Sequence, residues 1–193
     1  YNTSGGSGAL EASDFSLTLS GGTATLSSAT PSSISSSSNT YTLGLSLSGT
    51  PNGSETITVL PSSSTAIYDA VGNAASTSQS NNTVTLNDTT APAITGTTVA
   101  SNNESIAVTF SEAVYNTSGG SGALEASDFT LTLSGGTATL ASATPSSISS
   151  SSNTYTLGLS LSGTPNGSET ITVVPSSSTA IYDAVGNAVS TSQ

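Results

Sequence analysis

Residues 1 to 79 recur as residues 115 to 193, displaced by 114 positions, and only four paired positions differ: Ser16/Thr130, Ser27/Ala141, Leu60/Val174 and Ala75/Val189. A unit this long exceeds the roughly 20 to 50 residues of a solenoid turn, so each copy must bury a core of its own. The chain reads as a slice of a tandem array. It opens at Tyr1 and closes at Gln193, the counterparts of Tyr115 and Gln79 within the repeat, so neither end falls on an evident domain boundary.

Lys, Arg, His, Cys, Met and Trp are absent throughout. General bases and nucleophiles draw mainly on His, Lys and Cys, and phosphate or nucleic-acid binding on Arg and Lys, so the composition argues against an enzyme and against a nucleic-acid binder. Eleven acidic side chains give a formal charge of -11 with no side-chain cation to pair with them. Divalent metal ions are the natural partners. The lack of cysteine rules out disulfides and fits a bacterial cell surface as well as a cytosol. No apolar run approaches the roughly 20 residues that span a bilayer, and no signal peptide is recognisable, so any export address is expected outside this stretch. Abundant Ser, Thr and Gly could mark a disordered stalk, but regular apolar alternation in separate runs argues for a folded core.

Period two is the dominant signal. Ile106, Val108 and Phe110 alternate with polar neighbours in SIAVTF, as do Phe129, Leu131 and Leu133, each run predicting a strand with one buried face. Gly135–Gly136 then separates that second run from Ala138 and Leu140, which predicts a direct hairpin. Tyr155, Leu157, Leu159 and Leu161 predict one long strand, and Ile171 and Val173 another beyond the TPNG turn at 164 to 167. TVTLN at 83 to 87 and the stretch around Ile94 and Val99 add two more, and no segment offers a convincing helical period, the best short candidate being around Ile181 to Val185. The serine runs at 35–38 and 149–152 read as flexible connections. Seven or so short strands in about 106 residues predict an antiparallel sandwich with Greek-key links.

On this frame residues 1–87 form a repeat lacking its first two strands, and residues 88–193 a second repeat lacking its last. Vacant strand positions would expose apolar faces and unpaired edges. Either a longer polymer supplies the missing strands, or separate chains complete each other by strand donation.

DTTAPAI at 88–94, SIAVTFSEAV at 105–114, LEASDFTLTL at 124–133 and AIYDAVGNA at 180–188 follow one another in an order that resembles the bacterial immunoglobulin-like repeats of very large surface proteins and adhesins. The resemblance covers the whole repeat. It implies an all-β chain of tandem immunoglobulin-like antiparallel β-sandwich modules, exported, strung in long arrays, often with calcium at module junctions. The chain departs from that pattern in lacking basic residues and any dense DxDxD run.

In such a topology Glu112, Glu125 and Asp128 would lie in one loop, Asp183 in a second loop at the same end, and Asp88 on the incoming linker. Calcium takes six to eight oxygen ligands, and Asn116 and Asn187 could add amide oxygens, so these residues are the expected metal ligands. Asp14 and Asp69 repeat Asp128 and Asp183 in the first copy. The competing reading is that all are solvated loop charges that keep the surface soluble. Glu104, Glu169 and its copy Glu55 are expected at the opposite end, also as solvated charges. Tyr41, Tyr68, Tyr155 and Tyr182 read as core or corner residues whose hydroxyls find main-chain partners.

The leading functional expectation is a structural module of an extracellular bacterial stalk or filament, partnered by neighbouring copies and divalent cations. Without Lys or Arg it offers no target to trypsin-like proteases, and without Met or Cys little to common oxidants. The alternative is an adhesin repeat that holds a glycan or cell-surface ligand. Ice binding ranks lower still, because the threonines lie on hairpin strands expected to twist.

Overall fold

In the computed structural model, which describes residues 1–192, every long segment of regular structure is a β-strand; helix is limited to two three-residue 3-10 turns, Ala12–Asp14 and Ala126–Asp128. All strand pairs are antiparallel. The chain divides into two compact units, Tyr1–Thr90 and Ala91–Gln193.

The first unit contains β1 (Phe15–Ser20), β2 (Thr25–Leu26), β3 (Ile34–Ser37), β4 (Thr40–Leu43), β5 (Leu47–Ser48), β6 (Thr56–Pro61) and β7 (Thr83–Thr85). A three-stranded sheet runs β1-β6-β7, and two ribbons pair β2 with β5 and β3 with β4. The second unit contains β8 (Ile94–Val99), β9 (Ser105–Phe110), β10 (Phe129–Ser134), β11 (Thr139–Leu140), β12 (Ile148–Ser151), β13 (Thr154–Gly158), β14 (Leu161–Ser162) and β15 (Thr170–Pro175). Its largest sheet has the order β12-β13-β9-β8, facing a β10–β15 pair, with β11 and β14 forming a short ribbon.

β9 shows how sequence becomes layer. Ile106, Val108 and Phe110 are buried while Ser105, Ala107 and Thr109 between them are partly exposed, the alternation of a strand whose single face is covered. One apolar cluster joins Ile106, Val108, Phe110, Tyr155 and Leu157 of the four-stranded sheet to Phe129, Leu131 and Val173 of the other pair. Two layers thus share one core, the arrangement of a β-sandwich. Phe110, Phe129 and Tyr155 bridge the layers, with Phe110 and Tyr155 edge to face at 5.8 Å. The Tyr155 hydroxyl donates to the Val114 carbonyl at 3.2 Å, and burial pushes its pKa up.

Nearly identical sequence in the two units meets different surroundings. Leu157 and Phe129 are 0% and 1% exposed, whereas their counterparts Leu43 and Phe15 are only half-buried, and Tyr41 is 38% exposed where Tyr155 is 9% exposed. The second unit has β8 and β9 over this face, β9 pairing with β13 from Thr109↔Thr154 to Ser105↔Gly158; in the first unit β4 pairs with β3 alone.

Three local expectations are corrected. β10 and β11 do not form a hairpin across Gly135–Gly136; β10 pairs with β15 and β11 with β14. The reason is chemical: the Thr137 and Ala138 N–H groups beyond the glycines are taken by the Glu169 carboxylate, so they do not enter a ladder with β10. The expected long strand from Tyr155 to Leu161 breaks after Gly158 into β13 and β14, which belong to different sheets. A side chain at Gly158 would strike the hydroxyls of Ser146 and Ser147, and the Ser146 N–H donates to its carbonyl, so the chain crosses closely there. The serine runs are not loose connections, since Ser35–Ser37 and Ser149–Ser151 lie in β3 and β12, and Ser38 and Ser152 turn the hairpins at φ 54° and 52°. Residues 181–185 form no helix; Tyr182 bridges Tyr115 and Ala188 instead.

Candidate functional site

DAVGN at 183–187 folds around its own carboxylate. Asp183 Oδ1 accepts the N–H groups of Val185, Gly186 and Asn187 at 2.7–2.9 Å, and Oδ2 accepts the Asn187 side-chain amide at 2.7 Å. Short Asp side chains favour such turns because they reach main-chain donors a few residues ahead. Gly186 takes φ 103°, a backbone region that favours glycine. The first copy repeats the geometry: Asp69 accepts from Val71 N–H, Asn73 N–H and the Asn73 amide at 2.8–3.0 Å, and these bonds, the Asn73 amide foremost, lower its pKa. The turn is therefore encoded locally. Burial is not, for Asp183 is 0% exposed while Asp69 lies open.

Of the other sequence-predicted ligands in the second unit, Glu112 comes to Asp183, their carboxylate oxygens lying within 4.8 Å. Two carboxylates that close repel by about 1 kcal/mol in water and by more where water is excluded. Asp128 serves the backbone instead, since its Oδ2 accepts the Glu125 N–H at 2.7 Å and closes the 3-10 turn that leads into β10. The Glu125 side chain is exposed. In the first unit Asp14 caps the Glu11 N–H at 2.8 Å in the same way. Asp88 belongs to that unit, two residues before its end, where it accepts the Thr90 N–H at 2.9 Å. Glu104 is exposed and accepts the Asn102 side-chain amide at 2.7 Å.

Glu55 and Glu169, expected as solvated charges, are structural anchors. Glu55 is 0% exposed and its carboxylate accepts the N–H groups of Thr23, Ala24 and Asn52 at 2.6–3.0 Å. Glu169, half-buried, accepts those of Thr137, Ala138, Asn166 and Gly167 at 2.8–3.1 Å. Main-chain donors, Ala24 and Ala138 foremost, hold both groups at a pKa of about 2. Gly22 and Gly136 make the clamp fit, because a methyl at either would run into the carboxylate. The signal available in the sequence is a Glu three residues after the Asn of PNG, with Gly-Gly 33 and 34 residues before it; nothing in periodicity links the two.

Among the described residues no buried side-chain nitrogen or oxygen lacks a partner. None of the helical segments described is long and apolar enough to cross a membrane. Comparison with protein-family models, with curated proteins and with solved structures finds no match.

Proposed function

We propose that the chain is a pair of tandem immunoglobulin-like modules from an extracellular bacterial stalk or filament, and that its work is mechanical, giving length and stiffness without catalysis. The observation that carries this is the repeat itself: 79 positions recur with four changes, so adjoining modules are built for one shared role. The strand order of the second unit, with β12-β13-β9-β8 facing β10–β15, supports the immunoglobulin-like part of the reading. Strands rising about 3.3 Å per residue would let each module add on the order of 35 to 45 Å to an array.

The cation part of the proposal rests on Glu112 and Asp183, which come together within the second unit. Calcium at this pair would bind through Oδ2 of Asp183 in preference to Oδ1, where three amides already converge. Melting the chain with and without millimolar calcium tests that part, an upward shift being expected for a ligand of the folded state alone. An unchanged melt removes calcium from the proposal and leaves the spacer standing. For the spacer, gold-labelled antibody against the repeat should decorate filaments outside intact cells. Label confined to the cytoplasm would refute it.

A further inference from the structure

β6 and β15 carry the same sequence over their first four residues, yet β6 has β7 beside it and β15 has no third strand among the described residues. In the first unit, residues 82–90 form a continuous seam along β6. The pairs are Thr58↔Thr83, Ile57↔Val84 and Thr56↔Thr85. At one end the Val59 N–H donates to the Asn82 carbonyl and the Asn82 amide returns a bond to Val59, both at 2.9 Å. Past the ladder, Leu86 N–H donates to the Glu55 carbonyl and Thr89 N–H to that of Pro51, both at 2.9 Å, and the Thr90 hydroxyl donates to Pro51 at 2.8 Å.

Exposure records what this seam covers. Glu55 and Ile57 are 0% and 3% exposed, whereas Glu169 and Ile171 are only half-buried; Asn52, Gly53 and Thr56 are half-buried, whereas Asn166, Gly167 and Thr170 are exposed. The reverse holds further along, where Val173 is buried and Val59 is not, because the second unit has β8 and β9. The difference at residues 166–171 is therefore local to the missing strand. At that end of the second unit an apolar groove lies open, lined by Leu133, Leu159, Leu161, Pro165, Glu169 and Ile171. Its anchor is already formed, since Glu169 holds its four main-chain donors.

We infer that the free edge of β15 is a strand-binding slot, and that its occupant is an extended segment with the chemistry of Asn82–Thr90. By the first unit's register, Thr83, Val84 and Thr85 of the segment would pair with Thr172, Ile171 and Thr170. Its asparagine would bond Val173, its leucine N–H the Glu169 carbonyl, and its final threonines the Pro165 carbonyl. Val84 is 62% exposed in the first unit although it shares a face with buried Ile57; opposite Ile171 it would gain the second layer as cover. Main-chain pairing supplies the affinity and the alternate side chains the selectivity. A second copy of this chain is a poor donor, because its own β7 is already paired with β6. The inference names the partner that the tandem-array proposal requires and rests on that proposal.

The test adds a synthetic peptide, Asn81–Thr90, to the full chain and follows amide exchange by mass. Val174 in place of Leu60 makes the β15 fragment distinguishable from that of β6. Saturable protection of Ile171 and Val173, whose N–H groups face the slot in the first unit's register, is expected on the order of tenfold or more, as for an edge becoming an interior strand. A Val84→Asp, Leu86→Asp peptide should give none. Equal protection by a scrambled peptide, protection confined to β6, or none at all overturns the inference, as does concentration-dependent protection in the chain alone, which would make a second copy the occupant. None of these outcomes bears on where the filament is found, so the slot and the spacer fail separately.

Discussion

Phe15→Ala and Phe129→Ala make the same chemical change in almost the same sequence, and the structure gives them different costs. Phe129 is 1% exposed, with ring centroids of Phe110 and Tyr155 each 6.3 Å away. Truncating so enclosed a ring leaves a cavity between two layers and costs about 3–5 kcal/mol. Phe15 is half-buried, and its one described ring neighbour is Tyr41 at 6.1 Å, itself 38% exposed. Partial burial and easy collapse put its cost at about 1–2 kcal/mol. A gap of about 2 kcal/mol is roughly thirtyfold in the population of the unfolded unit. Amide exchange in the full-length chain reads it, because fragments holding Ser16 or Thr130, and Leu60 or Val174, report the units separately by mass. Phe129→Ala should raise exchange throughout the second unit far more than Phe15→Ala does in the first. Equal effects, or a larger one from Phe15→Ala, would refute the claim that β8 and β9 create the difference.

Acid should loosen both units through Glu55 and Glu169. Their folded pKa of about 2 lies below the ordinary 4.5, so the stabilisation is complete above pH 4.5 and disappears as the pH falls towards about 2. Melting temperature plotted against pH should drop across that window, and Glu55→Gln should flatten the drop for the first unit; an unchanged curve would mean that the clamp does not hold in solution. Asp183→Ala should destabilise the second unit by about 1–3 kcal/mol in urea unfolding, since it strands donors in a buried turn. Asp69→Ala, at an exposed copy of the same turn, should do less, and a result in the opposite order would count against burial as the cause.

The strands were legible where one covered face prints its own alternation. β9, β10 and β15 fall where Ile106–Phe110, Phe129–Leu133 and Ile171–Val173 place them, because a period of two has no other economical explanation. Partners were much less legible. Gly135–Gly136 signals a turn but not its destination, which is decided by the carboxylate of Glu169, 32 residues beyond Thr137. Gly158 sits in an unbroken apolar alternation, so nothing at period two announces that the chain leaves one sheet for another there. The serine runs carry too little apolar contrast to advertise β3 and β12. At the acidic loops, the DAVGN turn follows from local chemistry, and Glu112 and Asp183, expected at one end, lie together there. That Asp128 closes a turn while Glu55 is buried depends on distances that residue identity alone does not set.

The main-chain cradles around Glu55, Glu169 and Asp183 have a consequence for the waters in which such a chain can work. Ions in solution weaken the attraction between exposed charges, but they do little to an amide and a carboxylate in contact within a folded corner. Each carboxylate here is balanced by oriented peptide dipoles held at 2.6–3.1 Å. The corners of the module should therefore hold alike in fresh water and in brine.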